Sequence, residues 1–284
     1  MILGIMIVLS VLGSAGICWG SGAFGGLHWI WALPLSFAGL LIALGGLLFV
    51  SLWALTETID LSKPQEKDDP FFRKLTFYLV QFVAQALRVH LQVEGADKMP
   101  KDGRMLLVCN HQSVLDPLML LYVFHNSQLA FITKKEVSDM IIVGKFTHRI
   151  MCQPINREND REALRTILKC VRLLKEDQVS IGVFPEGYTS LDAKLHPFRN
   201  GVFKIAQKAQ VPVVICTVQN TRKIFHNAMH LKHTDVPVHV VDVIPAADTK
   251  GITAVELGSR VHRKMADDLG PDNVLKQPET EETP

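Results

Sequence analysis

Apolar residues dominate the first fifth of the chain, and formal charge begins only beyond it. From Met1 through Thr56 there is no Asp, Glu, Lys or Arg. The run from Trp31 to Trp53 is apolar throughout and covers about 33 Å as an α-helix, close to the roughly 30 Å hydrocarbon core of a bilayer. Tryptophans at both of its ends suit the membrane interface. This pattern predicts a spanning helix.

A second apolar run, residues 2–19, has marginal spanning length, and the glycine-rich residues 20–26 between the two runs suit a hairpin turn. We therefore interpret residues 1–56 as a membrane segment of one or two helices. A signal peptide is an alternative for residues 1–19, because residues 14–16 resemble a cleavage site, although no Lys or Arg precedes them. A buried core helix is disfavoured for the run from Trp31 to Trp53, because no charge interrupts so long a stretch.

The residues after the membrane segment are polar and rich in charge. Residues 57–70, with two prolines and the run EKDD, are predicted to be a linker. The positive-inside rule places this flank on the cytoplasmic side, because it carries Lys63, Lys67, Arg73 and Lys74. The apolar residues 71–89 predict a helix with two interpretations. It either lies in the membrane interface with its basic groups among lipid phosphates, or packs on the core of the next domain.

Short runs rich in Val and Ile alternate with amphipathic stretches from residue 88 onward. The predicted strands are residues 104–110, 129–134, 179–185, 211–218 and 236–244. Apolar residues at helical spacing predict helices over 160–177 and 253–269. Strands separated by helices predict an α/β domain over residues 71–270, with a mixed, largely parallel sheet flanked by helices. The polar residues 271–284 are predicted to form a disordered tail.

Composition disfavours several classes of protein. The 30 Lys and Arg residues against 28 Asp and Glu residues give no argument for nucleic-acid binding. The five cysteines are scattered without CxxC spacing, which predicts reduced, packed thiols in a cytosolic domain. His226, His230 and His233 have a spacing compatible with zinc, but only Asp235 accompanies them, so no metal site is predicted.

Two polar motifs directly follow predicted strands. NHQSVLDP occupies residues 110–117, and FPEGYTS occupies residues 184–190. Functional residues of α/β folds gather in loops at the carboxyl ends of strands. Neither motif has the glycine spacing of a dinucleotide or Walker loop, so no nucleotide cofactor is predicted. Ser113 lacks the GxSxG elbow, which disfavours a serine hydrolase.

His111 and Asp116 are the candidate catalytic pair. On a continuous helix they would point about 140° apart, so they must meet across a turn. Pro117 suits the first turn of a following helix, and Asp116 suits its N-cap. A carboxylate that holds one imidazole nitrogen leaves the other free to take a proton from an alcohol. The spacing by itself favours a simpler interpretation, with Asp116 as a cap and His111 as a loop histidine.

The surrounding sequence favours catalysis. The blocks NHQSVLD, PINR at 154–157, FPEGYTS and VPVVICTV at 211–218 resemble, in order and spacing, the four blocks of the glycerolipid acyltransferase family, which contains the lysophosphatidic acid acyltransferases. The resemblance covers roughly residues 85–250. It implies acyl transfer from an acyl thioester, acyl-CoA or acyl carrier protein, to the hydroxyl of a lipid such as lysophosphatidic acid. It also implies a reaction without metal, cofactor or covalent enzyme intermediate.

The same resemblance implies roles for single residues. His111 matches the general base of the family, and Asp116 matches its orienting carboxylate. Arg157 matches the arginine associated with the acceptor phosphate, while Glu186 and Gly187 match residues associated with acceptor binding and loop geometry. Considered alone, these last three residues also fit an ion-pair partner, a surface carboxylate and a tight turn.

The third block departs from the family pattern, which is usually FPEGTRS. Tyr188 and Thr189 stand in place of the Thr-Arg pair, and this removes a cation expected at the phosphate. Lys194 and Arg199 are candidates to replace it, or are solvated surface charges. The acceptor therefore stays open between lysophosphatidic acid, glycerol 3-phosphate and another lysophospholipid. A non-catalytic membrane lipid-binding protein is the alternative from a different class.

Overall fold

The computed structural model describes residues 1–190 and 192–275. The strands are β1 Val89–Glu94, β2 Leu106–Cys109, β3 Leu129–Lys134, β4 Gln153–Ile155, β5 Ser180–Val183, β6 Val213–Val218 and β7 Thr234–Ile244. The α-helices are α1 Ile2–Gly20, α2 Trp29–Glu57, α3 Pro70–Ala86, α4 Asp116–Val123, α5 Lys135–Ser138, α6 Val143–Arg149, α7 Asp160–Lys175, α8 Lys204–Ala209, α9 Lys223–Met229 and α10 Ala254–Leu269.

The two N-terminal helices form a hairpin, and both are long and apolar enough to cross a membrane by length and composition. The most apolar stretch of α2 has no residue buried inside the protein, so α2 is not a core helix of a soluble domain. The helix extends beyond the predicted run at both ends and reaches Glu57. Gly13 allows α1 to approach α2, because an added Cβ would lie 2.7 Å from Cδ1 of Leu40.

Helix α3 packs on the domain that follows it. Asp69 caps its first turn, where the carboxylate accepts hydrogen bonds from the amides of Phe71 and Phe72. Phe72 and Val80 lie two turns apart on the buried face of the helix, and the ring of Phe72 meets that of Phe146 edge-on at 5.3 Å. The core-packing interpretation is therefore the one that the structure confirms. Arg73 does not face lipid phosphates, because its guanidinium binds Asp68 at 2.6 Å and is mostly buried.

The seven strands form one mixed sheet in the order β1-β7-β6-β2-β5-β3-β4. The strands from β6 to β4 are mutually parallel, while β7 runs antiparallel to β6 and pairs with β1 in parallel. The connection from β2 to β3 crosses the sheet in one direction. The connections from β4 to β5 and from β5 to β6 cross it in the opposite direction. Right-handed connections therefore place α4 on one face and α7 and α8 on the other. The predicted α/β class with a mixed, largely parallel sheet is confirmed.

The core lies between these layers, and the central strands are fully enclosed. All residues of β2, β5 and β6 are buried, which explains why their sequences are continuously apolar rather than alternating. The five cysteines are free and buried, as predicted.

The start of the predicted tail is ordered. Residues 271–273 form a 3₁₀ turn, and the amide of Leu275 donates to the carbonyl of Leu195 at 3.0 Å. The amide of Leu195 in turn donates to the carbonyl of Asn273. The prediction of disorder is wrong for residues 271–275, because these backbone bonds attach them to the domain. Residues 276–284 lie outside the described residues.

Candidate active site

The two polar motifs meet because the strands that precede them are neighbours. Strand β2 ends at Cys109, and β5, which ends at Val183, pairs with it in parallel. The carboxyl ends of both strands therefore lie at the same edge of the sheet, and the loops that start there come together. The amide of Ser190, in the second motif, donates to the carbonyl of His111, in the first, at 2.8 Å.

Asn110 fixes the end of β2 against its other neighbour, β6. Its side-chain amide donates to the carbonyl of Val218 at 2.9 Å, and its side-chain oxygen accepts from the amide of Val218 at 2.8 Å. The side chain thus continues the sheet pairing where the backbone of β2 turns away. Because His111 is the next residue, this clamp determines where its backbone begins.

His111 and Asp116 form a hydrogen-bonded pair across a tight turn. The Nδ1 atom of His111 lies 2.8 Å from Oδ2 of Asp116, which also accepts the backbone amides of Gln112 at 2.6 Å and Ser113 at 2.8 Å. Asp116 is completely buried. Because a carboxylate only accepts, Nδ1 carries the proton and Nε2 is left with its lone pair. The pairing is the arrangement that orients an imidazole for proton abstraction.

The predicted N-cap role of Asp116 is wrong. Its carboxylate bonds to the amides of the turn before α4 rather than to those of the first turn of the helix, which has no side-chain cap. Pro117 does occupy the first turn of α4, as predicted. The amide of Ser113 donates to Asp116, and its hydroxyl oxygen accepts from the amide of Leu115, so Ser113 is a turn residue.

Aromatic stacking also restricts the orientation of the His111 imidazole. Its ring lies 4.2 Å from that of Phe184 at an interplanar angle of 19°, and Phe184 in turn stacks on Phe131 at 5.4 Å. Its Nε2 lies 3.1 Å from Oγ1 of Thr189. Since this nitrogen is the acceptor, the Thr189 hydroxyl donates to it. A substrate hydroxyl that is to lose a proton to Nε2 must take the place of the Thr189 hydroxyl.

Glu186 joins the two loops instead of facing an open site. One carboxylate oxygen accepts the amide of His111 at 2.8 Å, and the other accepts the amide of His196 at 3.1 Å. Burial raises the pKa of Glu186 to about 7, although these two amides act in the opposite direction. The side chain is 1% exposed, so the expectation that it contacts the acceptor does not fit this geometry. Glu186 is a positioning residue for the backbone of His111.

Gly187 is required by the turn after Glu186. Its φ is +84°, in the left-handed region, and a Cβ at this position would lie 2.9 Å from Cδ of Arg199. The amide of Arg199 donates to the carbonyl of Pro185 at 2.8 Å. The absence of a side chain thus lets Arg199 lie across the loop.

Arg157 and Arg199 are brought near each other, although they are far apart in sequence. Burial lowers the pKa of Arg157, the neighbouring charge of Arg199 adds to that effect, and the carboxylate of Glu136 acts in the opposite direction. Among the described residues no carboxylate forms an ion pair with either guanidinium. Neighbouring guanidiniums that have no bonded carboxylate can bind an anion. Among the described residues, Lys194 makes one polar contact, a hydrogen bond from its backbone amide to the carboxylate of Asp192.

The loop after the second motif contains a polar chain that the sequence did not reveal. The hydroxyl of Tyr188 lies 2.9 Å from Nδ1 of His196, whose Nε2 lies 2.9 Å from Oδ1 of Asp192. The backbone amide of His196 also donates a hydrogen bond to Glu186, which accepts the amide of His111. This chain of hydrogen bonds therefore connects the loop surface to the backbone of His111. No sequence motif marks His196, because its role depends on contacts across the loop.

No group of three or more potential ligands is placed to hold a metal ion within residues 1–190 and 192–275. The histidines near residue 230 are exposed, and the ring centroids of His226 and His230 lie 4.4 Å apart with the rings tilted by 40°.

Comparison with known proteins assigns the family. A family model described as acyltransferase matches residues 90–241, more than half of the chain and the whole region of the site. The chain belongs to the acyltransferase family. Two relatives named 1-acyl-sn-glycerol-3-phosphate acyltransferase are similar to it. The chloroplastic BAT2 of Brassica napus is 34% identical over 51% of this chain and 42% of its own length. The protein of Bacillus subtilis is 27% identical over 64% of this chain and 95% of its own length.

The fold of this acyltransferase-family chain also has a solved counterpart. The 1-acyl-sn-glycerophosphate acyltransferase PlsC from Thermotoga maritima matches with a TM-score of 0.57 and 24% identity, over 72% of this chain and 81% of the other. That likeness establishes the fold. The chain spans about half the length of several curated relatives that it matches.

Proposed function

We propose that the protein transfers an acyl group from an acyl thioester, acyl-CoA or acyl carrier protein, to the sn-2 hydroxyl of lysophosphatidic acid, giving phosphatidic acid. The observation that carries this proposal is the His111–Asp116 pair, which leaves Nε2 as a proton acceptor. It lies at the edge of the sheet where Arg157 follows β4 and where Arg199 bonds to the loop after β5. Membership of the acyltransferase family and relatives named for this reaction support it.

The pair supports a direct transfer, without an acyl-enzyme intermediate, with His111 as general base. Nε2 takes the proton of the acceptor hydroxyl as its oxygen attacks the thioester carbonyl carbon, and Asp116 stabilises the resulting imidazolium. The tetrahedral intermediate then collapses, the carbon–sulfur bond breaks, and the leaving thiolate takes the proton from Nε2. His111 ends the cycle in its starting state, so the reaction consumes no cofactor.

The experiment is a panel of acceptors and donors. The purified full-length protein, reconstituted in lipid vesicles, is given lysophosphatidic acid, glycerol 3-phosphate or lysophosphatidylcholine with acyl-CoA or acyl carrier protein, and products are identified by mass spectrometry. Phosphatidic acid as the main product supports the proposal. No turnover with any pair would favour the non-catalytic lipid-binding alternative.

A second candidate, transfer to another acceptor, is favoured by one observation. Thr189 stands where the family usually has arginine, and its hydroxyl binds Nε2 of His111 rather than supplying charge. If another acceptor gives the main product in the panel, His111 keeps its role and only the headgroup assignment changes.

We expect Arg157→Ala to raise the KM for lysophosphatidic acid about ten- to a hundredfold, because a charged hydrogen bond contributes ~1.5–3 kcal/mol. The KM for the acyl donor should change little. Arg199→Ala should have a smaller effect in the same direction, and Lys194→Ala the smallest, because its described contacts do not connect it to the pair. Steady-state kinetics with acceptor varied at saturating donor is the measurement.

Arg161→Ala is the matched control, since Arg161 is exposed and lies only four residues from Arg157. Equal acceptor KM values in the Arg157, Arg199 and Arg161 variants would show that the guanidinium pair does not hold the phosphate.

The protein is proposed to be attached to the membrane by residues 1–56, joined through residues 57–70 to a catalytic domain over 71–270 on the cytoplasmic side. The apolar hairpin and the basic residues after it support this arrangement. We expect the full-length protein to remain in the membrane pellet after washing with concentrated salt, because burial and not screenable charge holds a spanning helix. In sealed right-side-out vesicles, added protease should spare the domain until detergent is added. Release by salt, or cleavage without detergent, would refute the arrangement.

A further inference from the structure

Six exposed apolar side chains of the domain lie at the same edge of the sheet as the candidate site. Val114 follows β2, Met140 and Ile141 follow β3, and Phe225, Met229 and Leu231 follow β6. These three strands are parallel, so their carboxyl ends share one edge of the sheet with His111. An edge with this much exposed apolar surface is unusual for a face that contacts only water.

The largest of these groups is on and after α9, and we call it the α9 patch: Phe225, Met229 and Leu231, with Arg222, Lys223 and Lys232. Ile224 holds the helix to the domain, because it is completely buried. Phe225 and Met229 lie one turn apart and therefore share the outer face of α9. They are 49% and 76% exposed, and Leu231, directly after the helix, is 76% exposed.

Basic side chains surround the apolar part of the patch. Arg222, Lys223 and Lys232 are exposed, and among the described residues none of them forms an ion pair. The nearest carboxylate in sequence, Asp235, already binds His90 at 2.9 Å. Outward apolar groups with free cations beside them match the surface of an anionic bilayer.

The membrane hairpin reaches the same edge of the sheet from the other side of the site. Nζ of Lys145, on α6, lies 2.8 Å from Oε1 of Glu57, the last residue of α2. Helix α6 follows β3, whereas α9 follows β6, and β5 and β2 lie between these strands. The end of the membrane helix and the α9 patch thus stand on opposite sides of His111.

We propose that the α9 patch is a second membrane-contact surface, which inserts Phe225, Met229 and Leu231 into the interface of an anionic bilayer and sets its cations against lipid phosphates. The inference rests on the proposed function in one respect, that the acceptor of His111 is a lipid. Contact on both sides of His111 holds the site open toward the bilayer, so that a lysolipid reaches Nε2 without leaving the interface.

The test measures the environment of position 229 in the full-length protein. The five native cysteines are buried, so Met229→Cys is labelled selectively with an environment-sensitive nitrobenzoxadiazole fluorophore. Val255→Cys is the matched control, because Val255 is 60% exposed and follows β7, whose carboxyl end lies at the opposite edge of the sheet. Both proteins are reconstituted in phosphatidylcholine vesicles containing phosphatidylglycerol and lipids with a shallow nitroxide.

We expect blue-shifted emission and nitroxide quenching at position 229, and water-like, unquenched emission at position 255. Arg222→Gln, Lys223→Gln and Lys232→Gln combined should reduce the quenching at 229. Equal emission and quenching at the two positions would overturn the proposal. It would also be overturned if quenching at position 229 were the same with and without phosphatidylglycerol and with and without the three charge changes. The measurement needs no turnover, so its failure leaves the acyl-transfer proposal untouched.

Discussion

The His111→Ala variant is expected to lose acyl transfer by about 10²- to 10⁴-fold, the usual contribution of a general base. The loss should be confined to chemistry. The backbone groups of His111 that bind Glu186 and Ser190 persist in alanine, so the loops stay joined. Only the ring and its Nε2 are removed.

Product formation by the purified, reconstituted variant is the measurement, with the unfolding temperature and membrane attachment recorded in parallel. The matched control is His90→Ala, because His90 also places Nδ1 against a carboxylate, Asp235, at 2.9 Å. It lies on β1, three strands away from β2. Near-normal activity of the His111 variant would refute the general-base mechanism.

The Asp116→Asn variant should be less impaired, by about ten- to a hundredfold. The amides of Gln112 and Ser113 both donate to the oxygen that faces His111, so an asparagine must place its carbonyl oxygen there. Nδ1 then still donates, and the tautomer is kept. What disappears is the charge that stabilises the imidazolium, and a charged hydrogen bond contributes ~1.5–3 kcal/mol.

The variant also puts an amide NH₂ where Oδ1 of Asp116 is buried without a partner among the described residues. Some loss of stability should accompany the loss of rate, because an unsatisfied buried donor costs about 1–3 kcal/mol. Activity is therefore measured well below the unfolding temperature. Asp235→Asn, in the pair with His90, is the control. If Asp116→Asn were as active as this control, Asp116 would serve only to shape the turn.

Most of the sheet follows from the sequence, and its two missing strands have a physical explanation. The predicted strands are buried on both faces, so their apolar runs are conspicuous. Strand β1 alternates polar with apolar residues and lies at one edge of the sheet. Strand β4, at the other edge, has three residues and contains Pro154, which cannot donate to a neighbour. Edge strands carry little of the core, so hydrophobicity alone does not reveal them.

The site was less predictable than the fold. The His111–Asp116 contact follows from the motif, since a five-residue separation requires a turn. The bonds from Glu186 to the amide of His111 and from Asn110 to Val218 do not, because the fold brings these backbone groups to the side chains across 75 and 108 residues. A carboxylate that bonds to amides has no complementary side chain in the sequence to reveal it. Thr189 was visible as a departure from the family block, but its contact with Nε2 was not.

The position of β5 between β2 and β3 has a consequence for the order in which the candidate site forms during folding. Strands β2 and β3 are joined through α4, yet their places in the sheet are separated by a strand that occurs more than forty residues after β3. A nascent chain that ends before Ser180 holds the complete NHQSVLD turn but has no Glu186 to receive the amide of His111. Closing such long loops is slow compared with forming local helices. We therefore expect His111 to be set in place only when the last central strands insert, so that gain of activity during refolding trails the gain of helical signal.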